Sequence, residues 1–145
     1  MIFCSSALEL ELNIIIIMNN LIVDAASDKI FLTIIVRENI YTCSTENSKI
    51  NFEKLMILID EFLKDNKTSL EDISAIYVNR GPGSFAGIRN SLSTIKALFL
   101  TKKIDYYCFS FEDFKELGTI KYANVPYLCE KYKIKKNLIN PIYLS

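Results

Sequence analysis

Apolar and polar residues alternate along this chain in a way that gives short β-like runs first and longer helical runs afterwards. Leu21–Val23 is apolar, Asp24–Asp28 is turn-like, and Ile30–Val36 is again apolar and β-branched. Arg37-Glu38-Asn39 makes a second turn before Ile40–Cys43, so the pattern predicts a meander of three antiparallel strands. A polar loop is expected over 45–51. Phe52, Leu55, Met56, Ile59, Phe62 and Leu63 then recur at helical spacing, with Glu53, Lys54, Asp60, Glu61 and Lys64 on the other side, which predicts a helix over Phe52–Lys64. Thr68-Ser69-Leu70-Glu71 has the form of a capping box. A strand over Ile73–Asn79, a tight loop over Arg80–Ser84 and a helix over Phe85–Leu100 follow. The pattern ends in a strand at Tyr106–Phe109 and a helix over Phe111–Leu117, with Ser110 as its N-cap and Gly118 as its stop. Strands first, then helix alternating with strand, indicate an α/β fold with mixed layering.

The Arg80–Ser84 loop is the most informative local segment. Gly81 and Gly83 permit backbone angles closed to other residues, and Pro82 stiffens the turn between them. Ser84 is placed to cap the helix that follows. Such a loop can be a structural turn, or it can aim backbone N–H groups at an anion. Its glycines at 81, 83 and 87 do not match the dinucleotide or P-loop spacings. In the following helix, Phe85, Ile88, Leu92, Ile95 and Phe99 form an apolar stripe expected to pack on the sheet. Gly87, Ser91 and Thr94, with Ala86, Ser93 and Ala97 beside them, are small enough to admit another helix closely. That helix is either Phe52–Lys64 of this chain or one from another protein.

Composition narrows the chemistry. The chain has 145 residues, half of them hydrophobic, with 17 basic and 17 acidic side chains and no histidine. One domain with a genuine core, or two small lobes, fits this length. The missing histidine excludes Ser-His-Asp and Cys-His catalysis and imidazole zinc sites. Cys4, Cys43, Cys108 and Cys129 are widely spaced and read as small apolar residues in a reducing compartment, neither a disulfide framework nor a metal site. The apolar run Ile14–Met18 lacks a basic flank and is too short to span a bilayer, so neither an export signal nor a membrane anchor is indicated, and a cytoplasmic location is expected. Residues 1–18 read as an extension ahead of a natural start at Met18, although Ile14–Val23 as one longer strand is an open alternative. Basic residues are in excess after residue 101, with Lys131, Lys133, Lys135 and Lys136 crowded together either as a solvated face or as a phosphate-binding patch.

Arg80-Gly-Pro-Gly-Ser-Phe-Ala-Gly-Ile-Arg89, behind an Ala-Ile-x-Val strand, resembles the G-P-G-S-F-T-G-L-R signature of the TsaB (YeaZ) family. These bacterial proteins are needed to make threonylcarbamoyladenosine in tRNA. Leu21–Ser27 resembles the family's opening I-D-T-S strand and turn, Ser110–Phe114 its S-S-L-D-A-L segment, and Pro141–Leu144 its near-terminal P-x-Y-L-R. The resemblance implies an actin-like (ASKHA, RNase H-like) first lobe over 19–105 with an antiparallel meander, and a much reduced second lobe over 106–145. Only 115–140 separates segments that are far apart in the family, which suggests an internal loss.

The same resemblance implies a non-catalytic subunit that pairs with a TsaD-like catalytic partner, joined by a TsaE-like ATPase. It meets tRNA indirectly through that complex, and self-associates when alone. The implied interface comprises Phe52, Leu55, Ile59, Gly81, Pro82, Gly83, Ser84, Phe85, Gly87, Arg89, Ser91 and Thr94, with Arg89 as a candidate for an interfacial ion pair. No catalytic residue, metal or cofactor is implied. The enzymatic alternative is a minimal actin-like nucleotide-binding or ATPase domain using Asp24, Ser27, Gly83 and Ser84. Against it, Asp24-Ala25-Ala26-Ser27 has alanine where working actin-fold ATPases place a phosphate-approaching glycine.

Overall fold

The computed structural model describes residues 18–46 and 48–143, with the side chains of Lys49 and Phe52 left out. The expected extension over 1–18 therefore lies, except for Met18, outside the described residues, as do Cys4 and Leu144. Strands β1 (Asn20–Asp24), β2 (Lys29–Val36) and β3 (Asn39–Glu46) form the antiparallel meander that the alternation predicted. β3 runs to Glu46, so the expected loop over 45–51 is shorter: its first residues pair with β2, and its last begin a helix.

Helices α1 (Lys49–Glu53) and α2 (Leu55–Asp65) replace the single helix expected over Phe52–Lys64. Helical bonds from Lys54 to Ile50 (3.0 Å) and from Leu58 to Lys54 (2.9 Å) carry the chain through the break, so the two act as one bent arm. Next come β4 (Ala75–Asn79), α3 (Phe85–Lys102), β5 (Asp105–Phe109) and a short α4 (Val125–Lys131). The box at Ser69 is displaced by one residue from its expected place: the Asp72 carboxylate, not Glu71, accepts the Ser69 backbone N–H at 3.1 Å.

The sheet order is β3-β2-β1-β4-β5, with β1, β4 and β5 parallel and the other pairings antiparallel. Alternation within each strand sends side chains to two cores. Leu21 and Val23, Leu32 and Ile34, Ile76 and Val78, and Tyr106 and Cys108 face α2 and α3, where Leu55, Ile59, Leu63, Ile88, Leu92 and Ile95 complete the larger core. Ile22, Tyr77 and Phe109 point the other way, onto Phe114, Val125, Leu128 and Cys129. α4 thus covers the second face. The expected boundary at 105/106 falls inside the sheet, because β5 pairs with β4 along its whole length.

The helix expected over Phe111–Leu117 is a single 3-10 turn, Phe111–Asp113. Ser110 caps it as expected, accepting the Glu112 N–H at 3.2 Å. Phe111 and Phe114 pack on Phe109 at ring distances of 5.4 and 5.9 Å, whereas Leu117 is fully exposed. The apolar spacing runs on to Leu117, but Leu117 finds nothing to pack against, so no buried face draws the chain into a second turn. Conversely, α4 carries no periodic signal of its own, because its short buried set Val125, Leu128 and Cys129 is interrupted by Tyr127 and Glu130 in a stretch rich in tyrosine and lysine. Cys108 and Cys129 are buried free thiols, as expected of small apolar residues.

Burial along α2 gives a direct check on which way the arm faces. Ile59→Ala should cost about 2–5 kcal/mol in urea denaturation, because Ile59 is fully buried. Ile57→Ala, at an exposed position on the same helix, should change stability by less than about 0.5 kcal/mol.

Candidate functional site

The site is built where the turns that follow β1, β4 and β5 meet. β4 ends in Asn79, whose side-chain carbonyl accepts the Gly81 N–H at 2.9 Å and whose amide donates to Asp24 Oδ1 at 3.1 Å. The β1 turn closes on itself, with the Ala26 N–H also donating to Asp24 Oδ1 at 3.1 Å. Tyr122, from the second face, donates its hydroxyl to Asp24 Oδ2 at 2.6 Å. Each oxygen of the buried Asp24 carboxylate is thereby occupied by a donor from this chain.

The Arg80–Ser84 loop lies directly on that turn. Ser84 N–H donates to Ala26 O at 2.9 Å, and a β-carbon at Gly83 would stand 2.1 Å from the same oxygen. On its other side the loop meets the C-terminal segment: Ile142 N–H donates to Arg80 O at 2.7 Å, and a β-carbon at Gly81 would stand 2.0 Å from Ile142 O. Gly81 also has φ +112°, which disfavours any side chain there. Two motifs far apart in sequence, Gly-Pro-Gly and the Pro141–Tyr143 segment, are thus one structural unit, continued by Tyr143 against the Phe85 ring at 4.7 Å.

Of the candidate nucleotide residues, Asp24, Gly83 and Ser84 converge on Ala26, while Ser27 turns to Lys29. The backbone N–H of Ser84 is spent on Ala26, and the Ser84 hydroxyl accepts the Gly87 N–H at 3.2 Å as a helix cap worth about 1 kcal/mol. The Ser27 hydroxyl donates to Lys29 O at 3.4 Å. This geometry supports the structural-turn reading of the loop over the anion-binding one.

The interface candidates divide by burial. Leu55 and Ile59 face inward to the large core, so they cannot meet a partner in this fold; Ile50 and Ile57 are the exposed apolar residues of that arm. Gly81, Gly83, Gly87 and Ser91 are buried, and the Ser91 hydroxyl is turned back to Ile88 O at 3.0 Å. α1 and α2 both pack on α3, the intramolecular partner that the small residues admit. Pro82, Phe85 and Arg89 are exposed, while Ser84 and Thr94 are half-buried. Phe52 lies on α1, its side chain outside the described set. Phe85 departs from the expected stripe: it is 55% exposed and packs its ring at a tilt against Tyr143 instead of on the sheet.

What remains free on α3 is its outer face. Arg89, Ser93, Lys96, Ala97 and Leu100, over a floor of Leu92, line a groove of about 410 Å³ closed on its far side by Ile139, Pro141 and Tyr143. Arg89 makes no ion pair among the described residues. Sequence reasoning missed Arg80 as a structural hub. Its guanidinium grips Asp113 through Nη2–Oδ1 at 2.7 Å and Nε–Oδ2 at 3.3 Å, and donates from Nη1 to Asn140 O at 3.0 Å. The usable signal was local: one arginine ahead of the glycine loop, and one acid at the capping position after Ser110.

Comparison with known proteins agrees with this arrangement. A family model described as "TsaD: tRNA N6-adenosine threonylcarbamoyltransferase" matches residues 45–110, from the end of β3 to the end of β5. A tRNA threonylcarbamoyladenosine biosynthesis protein TsaB of Buchnera aphidicola (subsp. Schizaphis graminum) is 29% identical over 87 residues, covering 60% of this chain and 41% of that protein. The TsaB of subsp. Baizongia pistaciae is 36% identical over 64 residues, 38% of this chain and 29% of that one. The chain therefore matches well under half the length of these curated relatives. Among solved structures, YeaZ from Pseudomonas aeruginosa superposes with a TM-score of 0.60 at 17% identity, over 64% of this chain and 44% of that one. The actin-like, RNase H-like α/β class is borne out, and so is the resemblance to the TsaB (YeaZ) family.

Tyr122 gives the site a measurable signature. Burial, and then its bond to the Asp24 carboxylate, push its phenol well above the usual tyrosine range. The folded state holds this proton to higher pH than the unfolded chain. Its contribution to stability is therefore complete below about pH 10 and is lost as pH rises beyond it. Tyr122→Phe should cost about 1–3 kcal/mol in denaturation at neutral pH by stranding a carboxylate oxygen, and should flatten part of the alkaline loss.

Proposed function

We propose, from this kinship with the TsaB (YeaZ) proteins, that the chain is a non-catalytic partner of a TsaD-like enzyme. In this role it supports threonylcarbamoylation of the adenosine beside the tRNA anticodon. The observation that carries the reading is the division of labour on α3. Its inner side is spent on the core and on α1 and α2. Its outer side presents small residues, an unpaired arginine and an apolar groove. A helix of another protein can approach backbone closely over Ser93 and Ala97, while Arg89 offers a carboxylate a two-pronged contact. The region matched by the family model contains this helix in full.

The chemistry of the turns supports the same reading. A chain without histidine has no imidazole to hold a metal or move a proton, and the Asp24 carboxylate is already bonded on both oxygens. A catalyst needs unsatisfied groups aimed at a substrate; here those groups brace the loop instead. The wider assembly belongs to the proposal too: a TsaE-like ATPase joining the pair, tRNA modified by the assembled complex, self-association of the lone chain, and a cytoplasmic location. No helix among the described residues is long and apolar enough to cross a membrane.

The cognate TsaD-like protein should co-purify with this chain at micromolar concentration, and depletion of the chain should lower threonylcarbamoyladenosine in hydrolysed tRNA. No complex together with an undiminished nucleoside would defeat the proposal. Arg89→Glu and Ala97→Arg should each weaken the complex by about tenfold or more while leaving the thermal midpoint unchanged. In calorimetry magnesium with ATP should give the isolated chain no heat beyond that of magnesium with tripolyphosphate at the same concentration; an excess one-to-one heat for ATP would favour the nucleotide-binding alternative.

A further inference from the structure

Beyond the partner face, a second concavity opens at the carboxyl ends of the parallel strands β4 and β5. It measures about 220 Å³ and is bordered by Arg80, Asp113, Lys133, Lys135 and Asn140, with Cys108 beneath. Crevices at this end of parallel strands are where α/β sheets place ligands. The four lysines of the basic stretch differ in how they are employed. Lys131 is paired with Glu116 at 2.9 Å, and Lys136 lies 3.7 Å from Asp105. Lys133 and Lys135 have no carboxylate within ion-pair distance among the described residues, and these are the two that border the cavity.

The remaining charges do not cancel them. Among the described residues Asp113 is the one carboxylate on the cavity wall. It is held bidentately by Arg80, and its Oδ2 also accepts the Ser110 N–H at 2.8 Å. Arg80 and Asp113 neutralise each other, so the two lysines leave an excess of two positive charges. Arg80 uses three N–H groups in the bonds it makes to Asp113 and Asn140, and a guanidinium carries about five. Burial pushes the Cys108 thiol up to about 12, so it adds no negative charge near neutral pH.

The lysines are also held in place. Their segment is anchored at one end by Ile134 N–H to Cys129 O at 2.9 Å. At the other, Asn137 donates its backbone N–H to Tyr106 O at 2.7 Å and accepts the Tyr106 N–H on its side chain at 2.9 Å. Ordering the backbone beforehand lowers the cost of gathering like charges around a ligand.

We propose that this cavity binds a phosphate group, held between the Lys133 and Lys135 ammonium groups and the spare N–H groups of Arg80. A phosphate carries enough charge and enough oxygens to answer three cationic donors at once. The same chemistry is offered by a free phosphate or by the backbone of an RNA strand. The proposal does not depend on the partner reading, and the isolated full-length chain can test it.

Titration of that chain with inorganic phosphate, against sodium chloride at matched ionic strength, should give saturable NMR shifts in the amides of Arg80 and 133–140. Lys133→Gln/Lys135→Gln should weaken this binding by about tenfold or more. Lys103→Gln/Lys121→Gln is the control: it removes the same charge, and Lys103 shares the positive φ of Lys133, 58° against 55°. The control pair should bind as the unmodified chain does. In parallel, anisotropy of a labelled single-stranded RNA should show the salt slope shallower by about 1.4 in the first double variant alone. Loss of phosphate binding with an unchanged RNA slope identifies the free anion as the source; loss of both identifies backbone phosphate. Unsaturable phosphate shifts with an RNA slope that the two double variants share would overturn the proposal.

Discussion

Two carbonyl oxygens, those of Ala26 and Ile142, stand within about 2 Å of where the β-carbons of residues 83 and 81 would lie. Only a chain with glycine at both positions can be gripped this way, from the β1 turn on one side and the C-terminal segment on the other. Much else follows from that grip. It fixes the point at which the chain leaves β4 for α3, brings Pro141–Tyr143 beside that helix, and leaves Phe85 tilted against Tyr143 at the rim. The groove on α3 has its far wall because of this contact, and so does the cavity beside Arg80.

The same compression explains why a loop that resembles a phosphate cradle is arranged as a brace. A phosphate-binding loop must leave its N–H groups unbonded until the ligand arrives. Here the Gly81 and Ser84 N–H groups are committed to Asn79 and Ala26, and Asp24 is committed to Asn79, Ala26 and Tyr122. Satisfying buried polar groups within the chain stabilises the junction of three turns and withdraws them from chemistry. Free recognition capacity is displaced outward, to the outer face of α3 and to Lys133 and Lys135 after α4.

Much of the architecture was legible because it rests on local rules. The antiparallel meander follows from β-branched runs separated by short polar turns, and the α3 helix from its periodicity and the Ser84 cap. The glycine loop was legible as a turn, although not as a contact surface. What failed did so where local rules conflict with packing. The helix expected over Phe111–Leu117 stops at one turn because Phe111 and Phe114 both find Phe109, and α4 folds because a bare sheet face needs covering. Leu55 and Ile59 were rightly read as one face of a helix, but spacing alone does not say whether that face meets its own sheet or another protein.

By itself, then, the sequence determined the alternation of strands and helices, the absence of imidazole chemistry and the position of the Gly81–Gly83 turn. These depend on residue type and on spacings of a few positions, which a linear reading contains. The tertiary structure alone decided that Tyr122 would close on Asp24 across a separation of 98 positions, that Arg80 would clasp Asp113, and that Lys131 and Lys136 but not Lys133 and Lys135 would find carboxylates among the described residues. Those pairings depend on which surfaces the sheet brings together. Many partners compete for each polar group until the packed core fixes the geometry and leaves one within reach.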